Sequence, residues 1–193
     1  MKSYRKQILI SAAIALIAGF AHAGDYCDQL PEKFRTIDMV NVSIRGSYEN
    51  GDGFLVRSGK TLNGINQCQA DYACKQLGAR LPTARELAIE GRKHGAEMVE
   101  LSPDSPAPKD FYLVIVVNPN GKKDQFYYRY ENYAIPAGDL GNYWMWSSSV
   151  HPYYDDVYPF FLVGYSGRFD SLARDWAYNV SAARCVSSGG VNH

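Results

Sequence analysis

The sequence predicts an α+β domain stapled by disulfides, and three observations carry that prediction. Two stretches with helical spacing of apolar residues, 68–77 and from Thr83 onward, stand close together before the last third of the chain. Runs with strand character, separated by turn signals, fill that last third. Four cysteines, Cys27, Cys68, Cys74 and Cys185, follow what reads as an export leader, and an even cysteine count in an exported chain argues for two disulfides.

The elements follow in order. Lys2, Arg5 and Lys6 form a positive start, Ile8–Phe20 is an uncharged apolar run, and Ala21 and Ala23 are the small residues that a signal peptidase reads. Residues 1–23 therefore read as a cleavable signal peptide and 24–193 as a single domain. The apolar run is about 13 residues, short of the roughly 20 that a spanning helix needs. Gly24 to about Thr36 is a lead-in tied down by Cys27. Ile37–Arg45 and Phe54–Arg57 flank the turn signal Asn50-Gly51-Asp52-Gly53 and suggest an early hairpin.

From Cys68 to Leu77, Ala70, Ala73, Cys74 and Leu77 recur at helical spacing, and Gly78 is placed to end the helix in a left-handed conformation. Thr83-Ala84-Arg85-Glu86 is a capping box, with Leu87 opening the apolar face of a second helix that Gly91 and Gly95 limit. A proline-rich break around Pro103–Pro108 precedes Phe111–Val117, which is β-branched and apolar on both faces and so reads as a central strand. Asn118-Pro119-Asn120-Gly121 turns the chain, and Gln125–Tyr130 returns beside it. Tyr143–Ser149, Tyr158–Tyr165 and Ala182–Ser187 read as the remaining strands, with Ser166-Gly167 as a turn. The expected sheet is small and antiparallel, with long irregular loops.

Charge narrows the partners. The full chain carries 20 basic and 20 acidic residues; without the leader there are 17 basic against 20 acidic, a net −3 with neutral histidines. That balance lacks the basic excess that neutralises phosphates, so no nucleic-acid partner is expected. After the leader no stretch is long and apolar enough for a membrane helix, so no stable membrane insertion is expected. Four cysteines allow three pairings, and spacing alone leaves them open. A zinc site is not expected, because Cys68 and Cys74 lie outside the usual ligand spacing and no histidine neighbours them.

The segment Ala73-Cys74-Lys75-Gln76-Leu77-Gly78-Ala79-Arg80-Leu81-Pro82-Thr83-Ala84-Arg85-Glu86-Leu87 resembles the two-helix part of C-type-lectin-like domains. Its Arg-Leu-Pro-Thr-x-x-Glu-Leu form is similar to the bacterial branch: the C-terminal domain of collagen-like adhesins (the Lcl family) and the formylglycine-generating-enzyme-like fold. Tyr143-Trp144-Met145-Trp146-Ser147-Ser148-Ser149 and Arg184-Cys185-Val186 match the later strands of these relatives, so the likeness covers residues 54–187. The resemblance implies a C-type-lectin-like fold with Cys74 bonded to Cys185, leaving Cys27 for Cys68.

For function the resemblance implies a non-catalytic binding module, used in adhesion or envelope recognition, for a glycan or a protein ligand. The ligand-binding candidates are Tyr153, Tyr154, Asp155, Asp156 and Tyr158, in the loop after the tryptophan-rich strand. Rings beside carboxylates stack on sugar faces and accept hydroxyl hydrogen bonds, and tyrosine is equally suited to protein contacts. Tyr127, Tyr128, Tyr130 and Tyr133 form a second tyrosine group on the hairpin. Trp144 and Trp176 read as core.

No catalytic residue is expected. His94, His151 and His193 lack a nucleophile in a recognised motif, and Ser147-Ser148-Ser149 reads as hydroxyls that satisfy backbone groups. The formylglycine-generating relatives use a pair of nearby cysteines, whereas this chain has only Cys185 in its C-terminal region. An enzyme of that fold is one alternative, and a structural subunit of an envelope complex is another. No cofactor is expected. Calcium is the cation weighed, with Asp155, Asp156, Asp170 and Asp175 as donors, but Asn118-Pro119-Asn120 and Asp175-Trp176-Ala177 depart from the calcium-binding patterns of lectin domains. The expected location is exported: periplasmic, secreted or at the cell surface.

Overall fold

Two capped helices organise the domain. In the computed structural model, which describes residues 27–39, 42–45, 53–57, 65–101, 105–134, 144–152, 159–171 and 182–187, a four-residue helix α1 (Glu32–Arg35) and two ten-residue helices, α2 (Gln67–Gln76) and α3 (Ala84–Lys93), stand out. A further helical turn occupies 27–29. Both long helices begin with a capping box. Thr83 accepts from the Glu86 amide and the Glu86 carboxylate reaches back, as the sequence predicts; Asn66 and Gln69 do the same for α2. Gly78 takes φ 70° and Gly95 φ 97°, each in the left-handed region just past a helix. The expected signal segment lies outside the described residues.

The strands are β1 (Val42–Arg45), β2 (Gly53–Arg57), β3 (Ala79–Arg80), β4 (Glu97–Val99), β5 (Tyr112–Val117), β6 (Lys123–Arg129), β7 (Trp144–Val150), β8 (Pro159–Val163), β9 (Phe169–Ser171) and β10 (Ala182–Ser187). They join in the order β1-β2-β10-β7-β5-β6-β4, with β3 on β10 and β8 on both β7 and β9. The early hairpin is β1 with β2, antiparallel from Val42↔Arg57 to Arg45↔Phe54.

Two expectations need correction. The sheet is neither small nor wholly antiparallel: among the described residues it has ten strands, and β10 runs parallel to β7 (Ala182↔Met145, Ala183↔Trp146). The chain leaves β7 through the β8–β9 hairpin before it returns, so β10 enters beside β7 in the same direction. β5 lies between β6 and β7, yet meets β7 only at Val117↔Val150. β5 is thus the central strand that its apolar composition predicts, although Leu113 on its outer face is 42% exposed.

Two buried clusters fill the interior. The first gathers Ile65, Ala70, Ala73, Cys74, Leu81, Trp146, Ala183 and Cys185 between α2, β7 and β10. Trp146 is fully buried and its indole N–H donates to Ile65 O at 2.6 Å. Trp144 packs partly buried against this cluster, and Trp176 lies outside the described residues. The second gathers Leu87, Val114, Val116, Phe126, Tyr128, Met145, Leu162 and Phe169 beneath α3. Cys27 bonds Cys68 and Cys74 bonds Cys185, the pairing that the resemblance implies. The second bond ties α2 to the last strand. Two disulfides fit an exported protein in an oxidising compartment. None of the described helices is long and apolar enough to cross a membrane.

Candidate binding surface

The loop with Tyr153, Tyr154, Asp155, Asp156 and Tyr158 lies outside the described residues. The second tyrosine group is described, and strand alternation splits it. Along β6 successive side chains face opposite ways. Tyr127 falls on the outer face opposite Leu113 and Val99, whereas Tyr128 turns inward opposite Tyr112 and Met98. Tyr130 and Tyr133 follow the strand, where the chain bends back over α3.

An aromatic floor supports this end of the molecule. The fully buried Tyr128 ring meets Phe169 edge-on at 5.0 Å and Tyr112 at 5.8 Å, and Tyr112 meets Tyr130 edge-on at 5.6 Å. Such tilted pairs are the favoured geometry for ring quadrupoles. The Tyr112 hydroxyl accepts from the Phe169 amide at 3.1 Å, which seams β9 to β5. Burial pushes the Tyr112 and Tyr128 hydroxyls well above the usual phenol range, so both stay protonated. Gly91 of α3 lets the helix approach: a Cβ there would stand 2.3 Å from the Tyr128 hydroxyl.

The rim is built from the loop after β6 and the turn between β8 and β9. Ala134 N–H donates to His94 O at 2.7 Å, fixing the loop to the end of α3. Tyr133 lies against Gly167, whose φ of 69° suits glycine and where a Cβ would stand 2.4 Å from the ring. Burial, with Glu90 nearby, pushes the Tyr133 hydroxyl up to about 12. At the turn Tyr165 is 48% exposed. Arg168 and Asp170 form an ion pair whose side chains are 53% and 38% exposed, and Arg168 acts electrostatically on both Tyr112 and Tyr130. The surface thus offers a ring face, guanidinium donors and carboxylate acceptors on a rigid support.

The remaining candidates have structural partners. Ala84 N–H donates to Ser149 Oγ at 2.9 Å, and Ser149 Oγ donates to Asn118 Oδ1 at 2.7 Å. Ser148 N–H donates to Pro82 O at 2.7 Å, and Gln67 Nε2 donates to Ser147 O at 2.7 Å. The serine triplet therefore pins β7 to α2 and to the start of α3. His94 ends α3, with Nε2 3.7 Å from Glu90 Oε1, and burial holds His151 below the usual imidazole range. Among the described residues no group of three or more His, Cys, Asp or Glu could hold a metal ion. Asp155, Asp156 and Asp175 lie outside them, and Asp170 is paired with Arg168.

Sequence reasoning missed Tyr165 and Arg168 as surface residues, having read Tyr165 as a strand end. The signal was present in Gly164-Tyr165-Ser166-Gly167, a tyrosine at the tip of a glycine-bounded turn. No protein-family model matches the chain, and no curated protein or solved structure matches it.

Proposed function

We propose that the chain is an exported, non-catalytic binding module with a C-type-lectin-like fold, which recognises a glycan or protein ligand in adhesion or envelope recognition. The observation that carries the reading is the exposed Tyr165 and Arg168, the latter paired with Asp170, above an aromatic floor of the buried Tyr128 and Phe169 and the partly buried Tyr112. A rigid floor under an aromatic and charged rim suits contact without turnover. The Tyr153, Tyr154, Asp155, Asp156 and Tyr158 loop supplies the further ligand contacts in this reading. Support for the fold comes from two helices placed before most of the strands and from the Cys74–Cys185 bond between α2 and the last strand. The leader 1–23 is removed on export, to the periplasm or beyond the cell.

The test is a glycan array probed with the mature protein, alongside Arg168→Ala and a Tyr153→Ala/Tyr154→Ala variant. Saturable binding that either variant weakens at least tenfold supports the reading. Two rivals predict other outcomes. A formylglycine-type enzyme would convert a cysteine in a sulfatase-derived peptide, and it needs a reactive thiol; all four cysteines are in disulfides. A structural envelope subunit would co-purify with a stable partner and leave every glycan unbound.

A further inference from the structure

We propose that Arg85 guards an open sheet edge: its guanidinium takes the pairing position beyond β4 and keeps a second copy of this chain from adding a strand to β6. The register carries the argument. β4 pairs with β6 from Glu97↔Arg129 to Val99↔Tyr127, so a continued ladder would set 100 against Phe126 and 101 against Gln125. β4 stops at Val99, and 100 and 101 belong to no strand. A strand edge presents unpaired backbone donors and acceptors that invite another chain.

Arg85 stands where the ladder ends. Its Nη2 donates to the Gln125 carbonyl at 3.0 Å, a backbone acceptor that a continuing strand would use. Nε and Nη2 grip the Asp124 carboxylate at 2.8 and 2.5 Å, and Nη1 pairs with Glu100, just past the end of β4. The guanidinium also lies over the Phe126 ring, 5.3 Å from its centroid. One side chain thus bridges the two strands at the point where their pairing stops, held by a carboxylate of β6 and one just past β4. The geometry begins at the Thr83 cap, because Arg85 is the second residue of α3 and the capped turn fixes where it points. A fixed cation on an edge is a recognised defence against strand addition.

The test is the native mass of the mature protein by size exclusion with light scattering at rising concentration. Wild type is expected to stay monomeric, and Arg85→Ala to shift toward twice that mass. Adding Gln125→Lys to Arg85→Ala places a charge on the bared edge and should return the monomer. Should Arg85→Ala fail to fold, Asp124→Asn loosens the guanidinium while keeping the arginine, and a partial shift to dimer is expected. A monomeric Arg85→Ala overturns the proposal, as does a dimer that Gln125→Lys leaves intact. With Arg85→Ala unfolded, a monomeric Asp124→Asn does the same.

Discussion

The two buried clusters meet along β7 yet hold their parts of the molecule by different means. The cluster under α2 is rich in small residues and contains the Cys74–Cys185 bond, with Cys27–Cys68 fastening the lead-in to the same helix. The cluster under α3 contains no cysteine and relies on edge-on rings, among them Phe126, Tyr128 and Phe169. Small residues let α2 lie close to the sheet, and the disulfide holds it there. Large rings fill the wider space beneath α3, where shape alone must fix the packing. The candidate binding surface rises from the second cluster, so its precision rests on packing and not on covalent bonds.

The largest effect should come from the stapled half. Replacing Cys74 and Cys185 with alanine frees a loop of 111 residues, which the chain-entropy estimate values at about 5 kcal/mol. The same change at Cys27 and Cys68 frees 41 residues, worth about 4 kcal/mol. Urea unfolding of the two variants should place them in that order. The reverse order would mean that the lead-in, not the helix-to-strand tie, holds this half.

The aromatic half answers to shape. Gly91→Ala puts a Cβ 2.3 Å from the Tyr128 hydroxyl, and overpacking of this kind costs about 1–3 kcal/mol. In Tyr128→Phe the nearest ring atom, Cζ, is 3.4 Å from that Cβ, close to ordinary contact. A double-mutant cycle should therefore show Gly91→Ala mild in the Tyr128→Phe background. Additive losses would mean that the helix moves away from the ring.

A smaller effect, visible as a pH dependence, comes from the carboxylates that tie α3 to its surroundings. Burial works against ionised Glu86, but hydrogen bonds from Arg80 and Thr83 outweigh it and hold the carboxyl below its ordinary value. Burial likewise opposes ionised Glu90, outweighed by Lys93 and by Arg184 of β10 at 2.7 Å. A carboxyl depressed in the folded state stabilises above its unfolded pKa, and that stability is lost as pH falls through the folded pKa. Stability should thus decline below about pH 4.3, the unfolded glutamate range. Glu86→Gln should cost on the order of 1 kcal/mol at neutral pH and flatten the decline.

Local signals in the sequence were legible where a short stretch decides its own structure. The Thr83 capping box, the left-handed Gly78 and the last strand at 182–187 needed no distant partner to be recognised. The capping box of α2 went unseen because its cap, Asn66, precedes the stretch from Cys68 whose apolar spacing marked the helix. The three-residue strand Glu97–Val99 is too short for a period to show, and exists because β6 offers it an edge. Which hairpin tyrosines face inward depended on register, and the parallel β7–β10 pairing on topology; neither is written in a local pattern.

The smallest effect is expected at the rim. Arg168 is exposed and Asp170 partly so, and water screens their attraction. A double-mutant cycle with Arg168→Gln and Asp170→Asn should give a coupling of no more than about 0.5 kcal/mol in urea unfolding. Tyr165 stands free enough that Tyr165→Ser should leave stability within about 0.5 kcal/mol of wild type. The rim can then be altered without disturbing the aromatic floor, and any binding these variants lose belongs to the lost contacts. A coupling well above that value would instead make the ion pair a support of the β8–β9 turn, and binding losses there would have to be read together with the stability of the floor.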